Sequence, residues 1–135
     1  MTSEKKFSDT TLAANTVAST GVIKSSSLVV VASGTGESQR IGRKITVKAL
    51  SLRYTVKLYS TTDETLTDDG LRVILYHDKQ TNGASASVTD ILESATYFSF
   101  NNLANKDRFR ILADKYVDVS ATAGAYNGAA DQFAA

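Results

Sequence analysis

A run of strict alternation constrains this chain more than any other feature. From Arg40 to Tyr59 it reads RIGRKITVKALSLRYTVKLY, with Ile41, Ile45, Val47 and Ala49 at odd positions and Arg40, Lys44, Thr46 and Lys48 between them. A period of two puts successive side chains on opposite faces, so the pattern specifies a strand and not a helix. At Ala49-Leu50 the phase inverts, and the apolar set becomes Leu50, Leu52, Tyr54, Val56 and Leu58. One extra residue near Ala49, a β-bulge, restores the register and bends the strand. The sequence therefore predicts a long strand from about Arg43 to Leu58, bulged there. It places Arg40, Lys44, Lys48, Arg53 and Lys57 on one face and Arg43 on the apolar side.

That face is basic in a chain whose net charge is only +1. The twenty-residue stretch holds six Lys or Arg and no acid, whereas residues 61–70, TTDETLTDDG, hold four acids and no base. An antiparallel sheet often has one solvated face, but such a face normally mixes signs. Exclusion of Asp and Glu fits a nearby polyanion equally well. The stretch alone leaves both readings open.

Catalytic and metal chemistry find little support. The chain has no Cys, which excludes disulfides and thiolate metal or redox sites. His77, the single histidine, has no second His or Cys to share a transition metal, and its place beside Asp78 reads as a strand-end polar residue. GTGESQRIGRK superficially resembles a phosphate loop. Five residues separate Gly36 from Gly42, however, and Arg43-Lys44 follows where Gly-Lys-Ser/Thr is needed. Asp63, Glu64, Asp68 and Asp69 lack the spacing and glycine of a calcium loop and read as a solvated turn. Tyr54, Tyr59, Tyr76, Tyr97 and Phe98 could stack on bases, but aromatics favour strands in any case. No cofactor and no small-molecule substrate is expected. No window reaches the ~18 apolar residues of a membrane span, and the polar N-terminus MTSEKKFSDTT lacks the apolar run of a secretory signal.

Apolar residues at 42% and charged residues at 21% describe an ordinary globular chain, and 135 residues suffice for one domain. Residues 1–20 read as an arm or loop and 21–135 as the domain. From Val22 the run VIKSSSLVVVASG, which contains LVVVA and ends in Gly34, reads as a strand with both faces partly buried, and GTGESQ as the turn after it. LRVILYHD, Leu71 to Asp78, is too continuously apolar for an edge and reads as a central strand. Ser87 with Asp90 three residues on predicts a capped helical turn from Val88 to about Glu93. ATYFSF reads as a short strand, and Asp107 to Ser120 as the last convincing one, with Arg108 and Arg110 opposite Phe109 and Ile111. Beyond Ser120 the residues are small and show no period. Ile45, Val47, Leu52, Tyr54, Val56, Val73, Leu75, Phe109 and Ile111 are the expected core. The class is all-β, a sandwich with fewer strands than the seven or eight usual for two sheets.

Four segments occur in an order and spacing that resemble a known family: GTGESQRIGRKITVKALSLR at Gly34 to Arg53, LRVILYHDKQTNGA at Leu71 to Ala84, VTDIL at Val88 to Leu92, and FNNLANKDRFRILADK at Phe100 to Lys115. The set resembles capsid proteins of small circular single-stranded DNA viruses that encode a replication initiator, geminivirus-like coats among them. Their fold resembles that of the satellite tobacco necrosis virus coat.

The resemblance implies a single viral jelly roll that self-assembles into a homo-oligomeric T=1 shell around single-stranded DNA. It further implies residence in the virion and, during assembly, in the host nucleus. Packaging without sequence preference needs positive charge rather than base readout. Arg40, Arg43, Lys44, Lys48, Arg53, Lys57, Arg108 and Arg110 are the expected nucleic-acid-binding residues, with pairing to acids of a neighbouring subunit as the alternative for the tract RIGRKITVK. The family's basic N-terminal arm is reduced here to Lys5 and Lys6, and its later strands are absent. An incomplete jelly roll lacking its C-terminal strands is therefore expected, with exposed strand edges and partial folding or aggregation when expressed alone. A complete small β-sandwich that binds nucleic acid or an acidic ligand is the alternative.

Overall fold

The computed structural model of the protein describes residues 5–24, 28, 30–56, 69–81, 83–119, 121–122, 125–126 and 130–134. Among the described residues, six strands, β1 (Ser51–Thr55), β2 (Asp69–Asp78), β3 (Phe109–Val119), β4 (Ala121–Thr122), β5 (Ala125–Tyr126) and β6 (Ala130–Ala134), accompany one helical turn, α1 (Val88–Ile91), and a 3₁₀ turn at Leu103–Asn105. The chain is all-β, as the alternation predicts. Its described strands form three antiparallel pairs, β1·β6, β2·β3 and β4·β5, rather than two stacked sheets.

The β2·β3 ribbon is the longest ladder, running from Asp69↔Val119 to Asp78↔Phe109. Its register shifts between Leu75 and Tyr76, so that Leu75 faces Ala113, Tyr76 faces Ile111, and Leu112 is the extra residue of a bulge. The shift brings Phe109 and Ile111 onto the same face as Asp114 and Tyr116, across the ladder from Arg72, Ile74 and Tyr76. On that face Phe109 joins Ala86 and Ile91 in the core, with Ile23, Ile74, Tyr76 and Ile111 packed against them. Tyr76 meets Phe109 edge to face at 5.7 Å. Leu75 and Val117 are buried on the other face, so the ribbon has apolar residues on both sides, as the unbroken run LRVIL requires. α1 begins as its sequence predicts. The Ser87 N–H and hydroxyl both donate to Asp90 Oδ2 at 2.8 Å, and Leu92 closes the turn by donating to the Val88 carbonyl.

Several expectations need correction. Of the long bulged strand expected from Arg43 to Leu58, the described residues show only β1 as strand, Lys57 and Leu58 lying outside them, and the bulge seen among the described residues is in β3. Residues 44–50 join no ladder among the described residues, and without a partner strand their apolar side has nothing to pack against: Ile41 is 70% and Val47 57% exposed, and Ile45 is exposed as well. Leu52, Tyr54, Val56, Val73 and Ile111 are half-buried, and only Leu75 and Phe109 of the expected core are fully buried. The described residues of LVVVA form no strand, and Ser33 makes a single parallel bridge to Arg40. ATYFSF is a loop, because its ends are closed by the Leu92↔Asn101 bridge into a turn. β2 pairs with β3 alone among the described residues, so its central position is not seen. The residues beyond Ser120, read as patternless, supply β4, β5 and β6.

Candidate nucleic-acid interface

The expected cations fall into three environments. Arg40 is bound into its own turn. Its N–H donates to the Ala32 carbonyl at 2.8 Å, its carbonyl accepts from Gly34 N–H at 3.0 Å, and its guanidinium donates to the carbonyls of Val31, at 3.2 Å, and Gly42. Gly42, with φ +88°, supplies the left-handed step that leads out of this turn. From there Arg43, Lys44 and Lys48 follow on an exposed segment and make no ion pair with another described residue. Arg53 continues the series on the exposed side of β1, across from Gln132. Lys57 lies outside the described residues, as do Asp63, Glu64 and Asp68.

Arg108 belongs to a different environment. Its Nε and Nη2 donate to the two carboxylate oxygens of Asp78 at 3.0 and 2.9 Å, and its guanidinium lies 4.7 Å over the Phe109 ring. The paired charge leaves little to attract phosphate. Arg108 hydrogen bonding holds the Asp78 carboxyl below its ordinary range, with a further contribution from the Gln80 N–H. Arg110 is exposed on β3 opposite His77. Arg108 and Arg110 thus sit on the β2·β3 ribbon, whereas Arg43, Lys44, Lys48 and Arg53 form one continuous basic segment leading into β1.

Arg72 escapes a reading based on exposed charge, since it is 8% exposed in its side chain. It grips Asp114 through Nε and Nη2 at 2.8 and 2.6 Å and donates to the carbonyls of Tyr97 and Ser99 and to Asn101 Oδ1. The sequence signal is a single Arg inside an otherwise apolar strand, which is costly unless a partner waits for it. No group of acids or histidines suited to a metal ion occurs among the described residues, and no helix there is long and apolar enough to cross a membrane.

The described residues thus combine an all-β frame, a structural ion pair and an exposed basic segment. The family model of the satellite tobacco necrosis virus coat protein matches residues 1–132, and the chain belongs to that family. It is 35% identical over 96 residues to the coat protein of Maize white line mosaic Satellite virus, a match covering 69% of this chain and 42% of the relative. The chain thus spans less than half the length of the relative it matches. No solved structure matches it. The family match bears out a structural, non-enzymatic coat protein and corrects the assignment to circular single-stranded DNA viruses, because the matching family is that of a satellite virus coat.

Proposed function

We propose that this chain is part of a coat subunit that assembles with copies of itself into a small icosahedral T=1 shell, of jelly-roll subunits, around a single-stranded genome in the virion. The family match over residues 1–132 carries the reading. The segment Arg43, Lys44, Lys48 and Arg53 supports the genome contact: these cations are exposed, close in sequence and unneutralised by described acids. Single-stranded nucleic acid is a flexible polyanion, and counterion release favours its binding to such a segment whatever its bases. The nuclear stage and the DNA genome belonged to the resemblance with circular DNA viruses and gain no support from the family match.

The test is expression of the complete coat protein containing this chain, followed by electron microscopy and extraction of nuclease-protected nucleic acid. Closed particles that retain nucleic acid are expected, and changing Lys44, Lys48 and Arg53 to Ala should lower the amount retained. Digestion with RNase or DNase after disassembly identifies the genome type. A monodisperse monomer under all conditions of salt and pH would overturn the reading.

A further inference from the structure

The loop between α1 and the 3₁₀ turn is fixed from several directions. Glu93 N–H donates to the Phe100 carbonyl at 2.9 Å, Ser94 N–H to Ser99 Oγ at 2.8 Å, and Asn102 N–H to the Ile91 carbonyl at 2.8 Å. Arg72 adds its bonds to the Tyr97 and Ser99 carbonyls from below. Tyr97 also sits so close over Gly70 that a Cβ there would lie 2.8 Å from the tyrosine oxygen, which makes glycine part of the seat. This ordered loop holds two Phe side chains in water, Phe98 at 81% and Phe100 at 79% exposure. Phe98 stacks on half-exposed Tyr116 at 6.4 Å, with Tyr97 edge-on to both.

A mobile loop with an exposed Phe is ordinary, but a loop fixed by a buried Arg gains nothing in the isolated subunit from displaying two. Pre-organised aromatic side chains lower the ordering cost of association and are the usual anchors of protein interfaces. Rings of this size bury ~150–250 Å² each, so the stacked Phe98 and Tyr116, with exposed Phe100 two residues further along the same loop, approach the few hundred Å² at which an exposed apolar patch marks a contact. We propose that the Phe98, Phe100 and Tyr116 patch is a subunit contact, covered by a second copy of this chain. The proposal rests on the coat reading and names the surface that reading requires.

Charge decides between occupants. The fully exposed charge on the loop, Glu93, is acidic, as is Asp118 two residues beyond Tyr116 on β3; Lys115 lies on the other face of the ribbon from Tyr116, and Arg72, 5.1 Å from the Tyr116 ring centroid, is paired with Asp114. An acidic margin repels phosphates and disfavours base stacking. It suits the segment 41–48 of another copy, which exposes Ile41, Ile45 and Val47 together with Arg43 on the same side of the alternation. In that segment the apolar residues alternate with Lys44 and Lys48, so an extended conformation can turn one side to the patch and the other to the genome. Arg43, on the apolar side, reaches the rings or Glu93.

The experiment uses the complete coat protein with Phe98→Ser and Phe100→Ser, compared with parent by sedimentation velocity and microscopy. The parent should form particles, and the double variant should remain as small soluble species with unchanged far-ultraviolet circular dichroism. Association of subunits should weaken at least about tenfold. Phe98→Leu, which keeps apolar area, should restore part of it. If the double variant does not fold, Phe98→Glu at this exposed position gives the same reading. Particles formed equally by parent and variants overturn the contact while leaving the coat reading intact. Normal particles that lose only their nucleic acid also overturn it and assign the patch to base stacking. A parent that never associates overturns both.

Discussion

Arg72 and Asp114 lie on neighbouring strands of one ribbon, and the guanidinium takes both oxygens of the carboxylate, at 2.8 and 2.6 Å. The hydrogen bond to Asp114 raises the Arg72 pKa above its ordinary value, against the opposing effect of burial. Removing one member leaves the other charge buried and unpaired, a loss of about 3–5 kcal/mol in typical cases and less here because Asp114 is partly exposed. Asp114→Ala should therefore lower stability by roughly 2–4 kcal/mol. Arg72→Met is expected to be milder for the ribbon yet to release the Phe98 loop. Hydrogen exchange at the Ser94 and Ser99 amides is the measurement, and unchanged protection there in Arg72→Met would separate the loop from the ion pair.

Acid stability should depend on Asp78 and Asp90. Asp78 is held below its ordinary range by hydrogen bonding from Arg108, and Asp90 by the N–H and then the hydroxyl of Ser87. A carboxyl whose folded pKa is depressed stabilises fully above its unfolded value, near ~4, and that contribution is lost as pH falls through the folded value. Asp78→Asn and Asp90→Asn should each be less stable than the parent at neutral pH, and the gap should narrow below about pH 4. Thermal melts across pH read this directly, and a constant gap down to acid would contradict the assignment.

Phe109 is 6% exposed and meets Ala86, Ile91 and the Tyr76 ring. Phe109→Ala should cost ~3–5 kcal/mol, a large share of a domain's ~5–15. Denaturant midpoints should fall accordingly, whereas Leu112→Ala, at an exposed bulge position, should stay within about 0.5–1 kcal/mol of the parent.

Salt dependence should distinguish free from committed cations. Removing one phosphate-binding cation lowers the slope of log K against log salt by about 0.7 for a single strand. Lys44→Ala and Lys48→Ala should each show that change. Arg108→Ala should leave the slope alone and lower stability instead, because its charge is spent on Asp78. Equal slopes for all three variants would assign Lys44 and Lys48 to something other than the genome.

Local signals were legible in the sequence where they decided local structure. The capping pair Ser87 and Asp90 specifies its turn through contacts three residues apart, whereas the apolar run of β2 and the alternation of Phe109 and Ile111 show strand character in their own residues but not the distant strand each pairs with. Residues 41–49 carry as good a strand pattern as β1, yet pattern does not supply a partner, and exposed Ile45 and Val47 show the difference. β6 was illegible because its strand character comes from pairing Ala130 with Thr55 and Ala134 with Ser51, not from its own small residues. The charge pattern identified the basic segment, but nothing in RF at 108–109 indicated that Asp78, thirty residues away, would claim Arg108. Arg72, which the strand pattern of β2 does not single out, is the fastener of a loop.

The bulge at Leu112 makes the length of β3 matter more than one of its letters. Phe109 and Ile111 share a face with Asp114 and Tyr116 only because an unpaired residue stands between the two pairs. Deleting it would carry either the core pair or the Arg72 partners to the far side of the ribbon. Among related coats, position 112 should therefore drift freely in residue type while gaps there stay rare, so a one-residue deletion would do more harm than any substitution at the same place.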